Sequence, residues 1–281
     1  MLNPNTLILI QCKDTIGLVA SISNILAQHQ LNIISMREFV DEPSTSFFAR
    51  IEFKGTVANT DPLQKELTNA LPPEASITIN PTNQKKIAIL VTKEYHCLGD
   101  ILMRNFFGTL GAEVQCVLGN YENLRAITER FSLPYHYVSH IDKDPMEFEA
   151  ELLETLGAYE LDYLVLAKFM RILSSDFIDR YRGRIINIHH SFLPAFVGAN
   201  PYQKAFNRGV KIIGATAHFA TNDLDEGPII TQQIIPVNHN YSASQMRIAG
   251  KEIEKAVLNK ALSLLIENRV FINGNKTIIF E

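Results

Sequence analysis

Apolar residues in this chain fall into short β-rich stretches and longer stretches with helical spacing, and the order of the two changes near residue 80. Residues 6–12, TLILIQC, read as a strand. In the following DTIGLVASISNILAQHQ, Leu18, Ile22, Ile25 and Leu26 line one helix face. NIISMREFV and SFFARIEFKG are strands parted by a turn around Pro43 and Ser44, and a second helix near residues 61–71 precedes the strand ASITIN. This β-α-β-β-α-β order predicts a ferredoxin-like domain over residues 1–80. The polar segment PTNQKK, residues 81–86, reads as a linker.

Residues 87–281 follow a different pattern, an α/β one. KIAILVT, AEVQCVLGN, PYHYVSH, LDYLVLA and RIINIH are nearly continuous apolar runs, separated by helical stretches such as DPMEFEAELLETLGAY and SSDFIDRYRG. Such runs belong to a mostly parallel, Rossmann-like sheet covered on both faces. VKIIGATAHFA and PIITQQIIPV follow without an intervening helix and read as an antiparallel addition. Residues 242–267 form a closing helix, and VFINGNKTIIFE ends the chain as a hairpin.

At 281 residues the chain exceeds the roughly 100–200 of one domain, which agrees with two patterns. Hydrophobic residues at 46% and charged residues at 20% mark a globular protein. The net charge of -4, with basic residues scattered, argues against a nucleic-acid partner. Cys12, Cys97 and Cys116 form no CxxC pair, so a disulfide framework or cysteine-rich zinc site is not indicated. No charged leader with a cleavage site and no membrane-length apolar run is present, so the expectation is a soluble, cytoplasmic protein.

The chemistry concentrates in IINIHHSFLPAFVGANPYQKAF, residues 185–206. In open α/β sheets ligands bind beyond the carboxyl ends of strands, where Asn187 and His189 fall. Alternation puts those two side chains on one face and His190 on the other. An amide can donate to a developing oxyanion, and an imidazole can donate or exchange a proton. On these positions alone, a turn-capping Asn187 and a satisfied polar His189 are the plainer assignment. A metal reading of His189, His190 and His218 lacks an HExxH pattern or cysteine pair, so no metal is expected. TNDLDEGP, residues 221–228, can make a turn or return an acid towards His189.

FMRILSSDF (169–177), NIHHSFLPAFVGANPYQKAF (187–206), GVKIIGATAHF (209–219) and DLDEGPIITQ (223–232) together resemble the folate-dependent formyltransferase fold, specifically the formyltetrahydrofolate deformylases. The resemblance implies an active site of Asn187, His189 and Asp225, with folate contacts from Met170, Arg171, Ile172 and Leu173 and a pterin-lining loop that includes Thr221, Asn222 and Asp223. It implies hydrolysis of 10-formyltetrahydrofolate to formate and tetrahydrofolate, supplying formate for purine synthesis and balancing one-carbon pools. Folate is then the substrate, water the co-substrate, and no cofactor is needed.

CKDTIGLVASISNILAQHQLNI, residues 12–33, resembles an ACT domain, with Asp14 and Gly17 at the strand-to-helix turn. That resemblance implies an amino-acid effector such as glycine or methionine and a homo-oligomer. A purely structural or oligomerising module is the alternative.

The implied active site does not name the formyl acceptor. A glycinamide ribonucleotide formyltransferase-like enzyme would carry a glycine-rich phosphate cradle after KIAILVT, whereas this chain reads KEYHCLGDILMR, residues 93–104, with only Gly99. The His96-Cys97 pair reads as a helix start and pocket wall. No basic domain follows that would suit a methionyl-tRNA formyltransferase. A catalytically silent folate-binding regulatory protein is the remaining alternative.

Overall fold

The computed structural model describes residues 6–55, 57, 59–81, 84–195 and 200–281. Residues 82 and 83 of the expected linker, and 196–199 of the motif 187–206, lie outside the described residues. The chain divides into two compact units: residues 1–83 with 268–271 and 278–281, and residues 84–267 with 272–277.

The first unit runs β1 (Thr6–Lys13), α1 (Leu18–Gln28), β2 (Ile33–Asp41), β3 (Ser46–Phe53), α2 (Asp61–Ala70) and β4 (Ser76–Ile79). Its sheet has the order β2-β3-β1-β4 with every pairing antiparallel. Strand β1 alternates buried and half-buried positions, and its Ile8 and Ile10 share a core with Ile22, Leu26, Leu63 and Leu67. Each such fully buried side chain contributes roughly 1.5–3 kcal/mol. Gly17, at φ 91°, makes the left-handed turn into α1 that its lack of a Cβ permits.

The second unit runs β5 (Lys85–Val91), α3 (His96–Phe106), β6 (Ala112–Gly119), α4 (Arg125–Arg130), β7 (Tyr135–Tyr137), α5 (Pro145–Leu156), β8 (Tyr163–Leu166), α6 (Ser175–Arg180), β9 (Ile185–His189), α7 (Pro201–Arg208), β10 (Ile212–Phe219), β11 (Ile229–Pro236) and α8 (Ala243–Ile266). The sheet order is β11-β10-β9-β8-β5-β6-β7. From β9 to β7 the strands are parallel, while β10 pairs antiparallel with both β9 and β11. Long helix α8 packs against β10 and β11 and meets α3 and α7. No helix among the described residues is long and apolar enough to cross a membrane.

Two boundaries differ from the sequence reading. Lys85 and Lys86, placed in the linker by their polarity, begin β5 and pair with Ala112 and Glu113. Acids just before β8 explain why a strand tolerates them: the Lys86 N–H donates to the Asp162 carboxylate at 2.8 Å, and its ammonium meets Glu160 at 3.1 Å. The second difference is at the C-terminus. The closing hairpin, β12 (Val270–Asn273) and β13 (Lys276–Ile279), is divided, its outer residues grouping with the first unit rather than with 87–281. Phe271 and Phe280 pack there on Phe48, a long-range contact that no local pattern encodes.

Candidate active site

Strand β9 delivers Asn187 and His189 to one face of the sheet, and the antiparallel register sets His218 of β10 opposite Asn187. Opposed residues of an antiparallel pair project to the same side. His218 therefore touches Asn187, with Nε2 3.1 Å from the amide Nδ2. The other ring nitrogen of His218, Nδ1, donates to the Phe219 carbonyl at 2.9 Å, leaving Nε2 as the acceptor. Burial pushes the His218 imidazole below its ordinary range, which keeps this neutral tautomer in place. One amide N–H of Asn187 is thus fixed and the second remains to donate.

The acid comes from the connection between β10 and β11. The Phe219 N–H donates to the Pro228 carbonyl at 2.9 Å, closing the loop. A Cβ on Gly227 would lie 1.8 Å from the Phe219 oxygen, so only glycine lets the backbones approach this closely. Asp225 sits within this turn at φ 59°. Its Oδ1 is 3.1 Å from His189 Nδ1 and 3.8 Å from His218 Nε2. Burial would raise the Asp225 carboxyl, but the hydrogen bond and charge of His189 hold it below the usual range. The carboxylate fixes His189 with Nδ1–H donating, and the buried Nε2 has no partner among the described residues.

These groups open on a cavity of about 280 Å³. Met170, Arg171, Ile172 and Leu173 all line it, as do Thr221 and Asn222. The Met170 N–H donates to Thr92 Oγ1 at 2.9 Å, and Glu149 accepts from both the N–H and the hydroxyl of Ser174, so this apolar wall is pinned at both ends. The Arg171 guanidinium lies 5.8 Å over the Phe148 ring.

Asp223, expected in the lining, is not part of it; Leu224 is. The Asp223 carbonyl instead accepts from Thr221 Oγ1 and the Glu226 N–H, which makes it a turn former. His190, just past the end of strand pairing, also borders this cavity, as does Ile188 of the opposite strand face. Lys168, Phe169 and His190 were missed as wall residues. Nothing in a lysine after an apolar run signals that it will be buried at φ 62°.

A second cavity, about 270 Å³, adjoins the first and shares Lys168, Met170 and His190 with it. At its base Glu254 of α8 takes three contacts: His96 Nε2 at 2.7 Å, Tyr202 Oη at 2.6 Å and Lys168 Nζ at 3.2 Å. His96, Cys97 and Glu254 are close enough to hold a metal ion, but the Lys168 ammonium already compensates the carboxylate, so this donor set does not suit a cation. Burial pushes the Cys97 thiol far up, removing it as a thiolate nucleophile. Between β5 and α3 the turn carries Lys93, Glu94 and Tyr95 and no glycine.

Comparison with known proteins agrees with this architecture. Residues 85–262 match the family model described as Formyl transferase, and residues 6–69 match that of the ACT domain. The chain is 50% identical to a formyltetrahydrofolate deformylase of Haemophilus influenzae, over 97% of this chain and 98% of that one. It superposes on a crystal structure of a formyltetrahydrofolate deformylase from Pseudomonas syringae with a TM-score of 0.93 at 36% identity, covering 99% and 94% of the two chains. A glycinamide ribonucleotide transformylase from Symbiobacterium toebii matches with a TM-score of 0.68 at 29% identity, covering 72% of this chain and 96% of that one.

Proposed function

The chain belongs to the formyltetrahydrofolate deformylase family, and on that premise we propose that Asn187, His189 and Asp225 carry out the hydrolysis of 10-formyltetrahydrofolate to formate and tetrahydrofolate. The observation that supports these roles is convergence: Asp225 bonds His189 Nδ1 while Nε2, unpartnered among the described residues, and the Asn187 amide lie at one cavity. The apolar wall of Met170, Ile172 and Leu173 suits the flat rings of a folate.

In this reading water adds to the formyl carbon. The second N–H of Asn187 and Nε2–H of an imidazolium at His189 donate to the oxyanion, while Asp225 neutralises that imidazolium. Asp225 accepts one proton from the water and passes it to N10 as the C–N bond breaks. The remaining proton of the nascent formic acid goes to solvent. The chain needs no metal or redox cofactor for this sequence.

Transfer to a phosphorylated amine is not favoured, because the β5–α3 turn lacks glycines and the transformylase resembles only part of the chain. We further propose that the ACT-like unit binds an amino-acid effector such as glycine or methionine, that the protein is a homo-oligomer, and that it works in the cytoplasm. Incubating the protein with 10-formyltetrahydrofolate and no acceptor tests the reaction: catalytic formate release is expected, and strict dependence on an added amine would overturn it. Repeating the assay with glycine and with methionine tests regulation, and no response to either removes both.

A further inference from the structure

The two adjoining cavities differ in chemistry. The first presents an apolar wall on one side and the Asn187, His189 and Asp225 cluster on the other, whereas the second is lined by Glu94, His96, Lys168, Tyr202, Lys251 and Glu254. A folate's rings match the first and a small hydrated nucleophile matches the second. His190 stands in the wall they share, its ring centroid 5.1 Å from that of His189 and 6.2 Å from that of Tyr202.

We propose that the second cavity is the entry and binding site for the nucleophile, and that His190 orients the attacking water by accepting one of its hydrogen bonds. The inference rests on the hydrolytic reading above and adds where the water comes from. Burial, reinforced by the positive charges of Lys168 and His189, pushes the His190 imidazole down to about 3. It is therefore neutral near pH 7, with a lone pair to offer but little tendency to keep a proton. One water hydrogen bonds His190 and stays on the product, the other goes to Asp225, and the oxygen is left aimed at the formyl carbon. No proton accumulates on His190, so the balance of the reaction is unchanged.

The test compares water with hydroxylamine, a small nucleophile that yields formyl hydroxamate, in the wild type, His190→Leu and His190→Gln. Misplacing one reactant typically costs about a hundredfold, so His190→Leu is expected to lower formate release by about that factor. Tetrahydrofolate binding should stay within about twofold and hydroxamate formation should fall much less than hydrolysis, because electrophile activation is intact. His190→Gln, which keeps an acceptor, should recover part of the hydrolysis. Equal losses for both nucleophiles, unchanged hydrolysis in His190→Leu, loss of tetrahydrofolate binding in both variants, or a wild type that cannot use hydroxylamine would each overturn the proposal. A wild type releasing no formate without an amine would instead refute the hydrolytic reading itself.

Discussion

His189 and Asp225 meet at 3.1 Å, Nδ1 to Oδ1, although one ends β9 and the other lies in the turn beyond β10. The contact decides which imidazole nitrogen faces the cavity. It also depends on a loop closure that only a glycine at 227 permits.

Removing the amide tests the oxyanion role. Asn187→Ala should lower the rate of formate release by a hundredfold or more, since loss of one oriented donor costs about 2.7–4 kcal/mol in the transition state. Near-wild-type release by a folded variant would remove Asn187 from the mechanism.

Asp225→Asn keeps the shape but removes the charge and the proposed proton carrier. Turnover should fall by roughly 10²–10⁴, the usual worth of general acid–base help, with tetrahydrofolate affinity little changed. A drop in affinity with kcat intact would make Asp225 a binding residue instead.

Gly227→Ala reaches the same acid indirectly. The added Cβ meets the Phe219 carbonyl and must push the turn outward, at a cost of about 1–3 kcal/mol. Both thermal midpoint and kcat should decline, and an unchanged kcat would show that Asp225 is positioned independently of this closure.

Glu254→Gln leaves the buried Lys168 ammonium uncompensated. A buried pair broken at one partner typically loses about 3–5 kcal/mol, which a urea titration would register. Replacing both partners, Lys168→Met with Glu254→Leu, should lose less than the single change.

Stability should fall on acidification in two windows. His190, ordinarily near 6.5, is pushed to about 3 by burial and by the charges of Lys168 and His189. Burial alone would raise Glu254, but its bond from His96, the Lys168 charge and the Tyr202 hydroxyl lower it from 4.5 to about 2. In each window the unfolded chain binds more protons than the folded one, so lower pH favours unfolding. The His190 contribution is complete above 6.5 and lost towards 3; that of Glu254 is complete above 4.5 and lost towards 2. Urea midpoints measured from pH 7 to pH 3 should decline, and His190→Gln should flatten the upper window. A profile equally steep in that variant would contradict the assignment.

Much of this was legible in the residues. Strand and helix periodicity gave both units, because alternation and helical spacing are local consequences of burying one face. It placed Asn187 and His189 together at a strand end, since side chains two residues apart in a strand must share a side. The resemblance added Asp225 and the 170–173 wall. It also supplied Asp223, whose carbonyl holds a turn while Leu224 takes the wall position.

The sequence by itself determined most of the element order, the two architectures and the residues proposed as reactive groups, all of which follow from short-range pattern or matching motifs. Tertiary structure alone decided the rest. That His190 borders both cavities depends on Tyr202 and Glu254 arriving from α7 and α8, and the burial of Lys168 depends on the same Glu254. The attachment of Phe271 and Phe280 to Phe48 depends on the chain returning to its beginning. Each is a contact between distant segments, and its free energy exists only once the fold has brought both sides together.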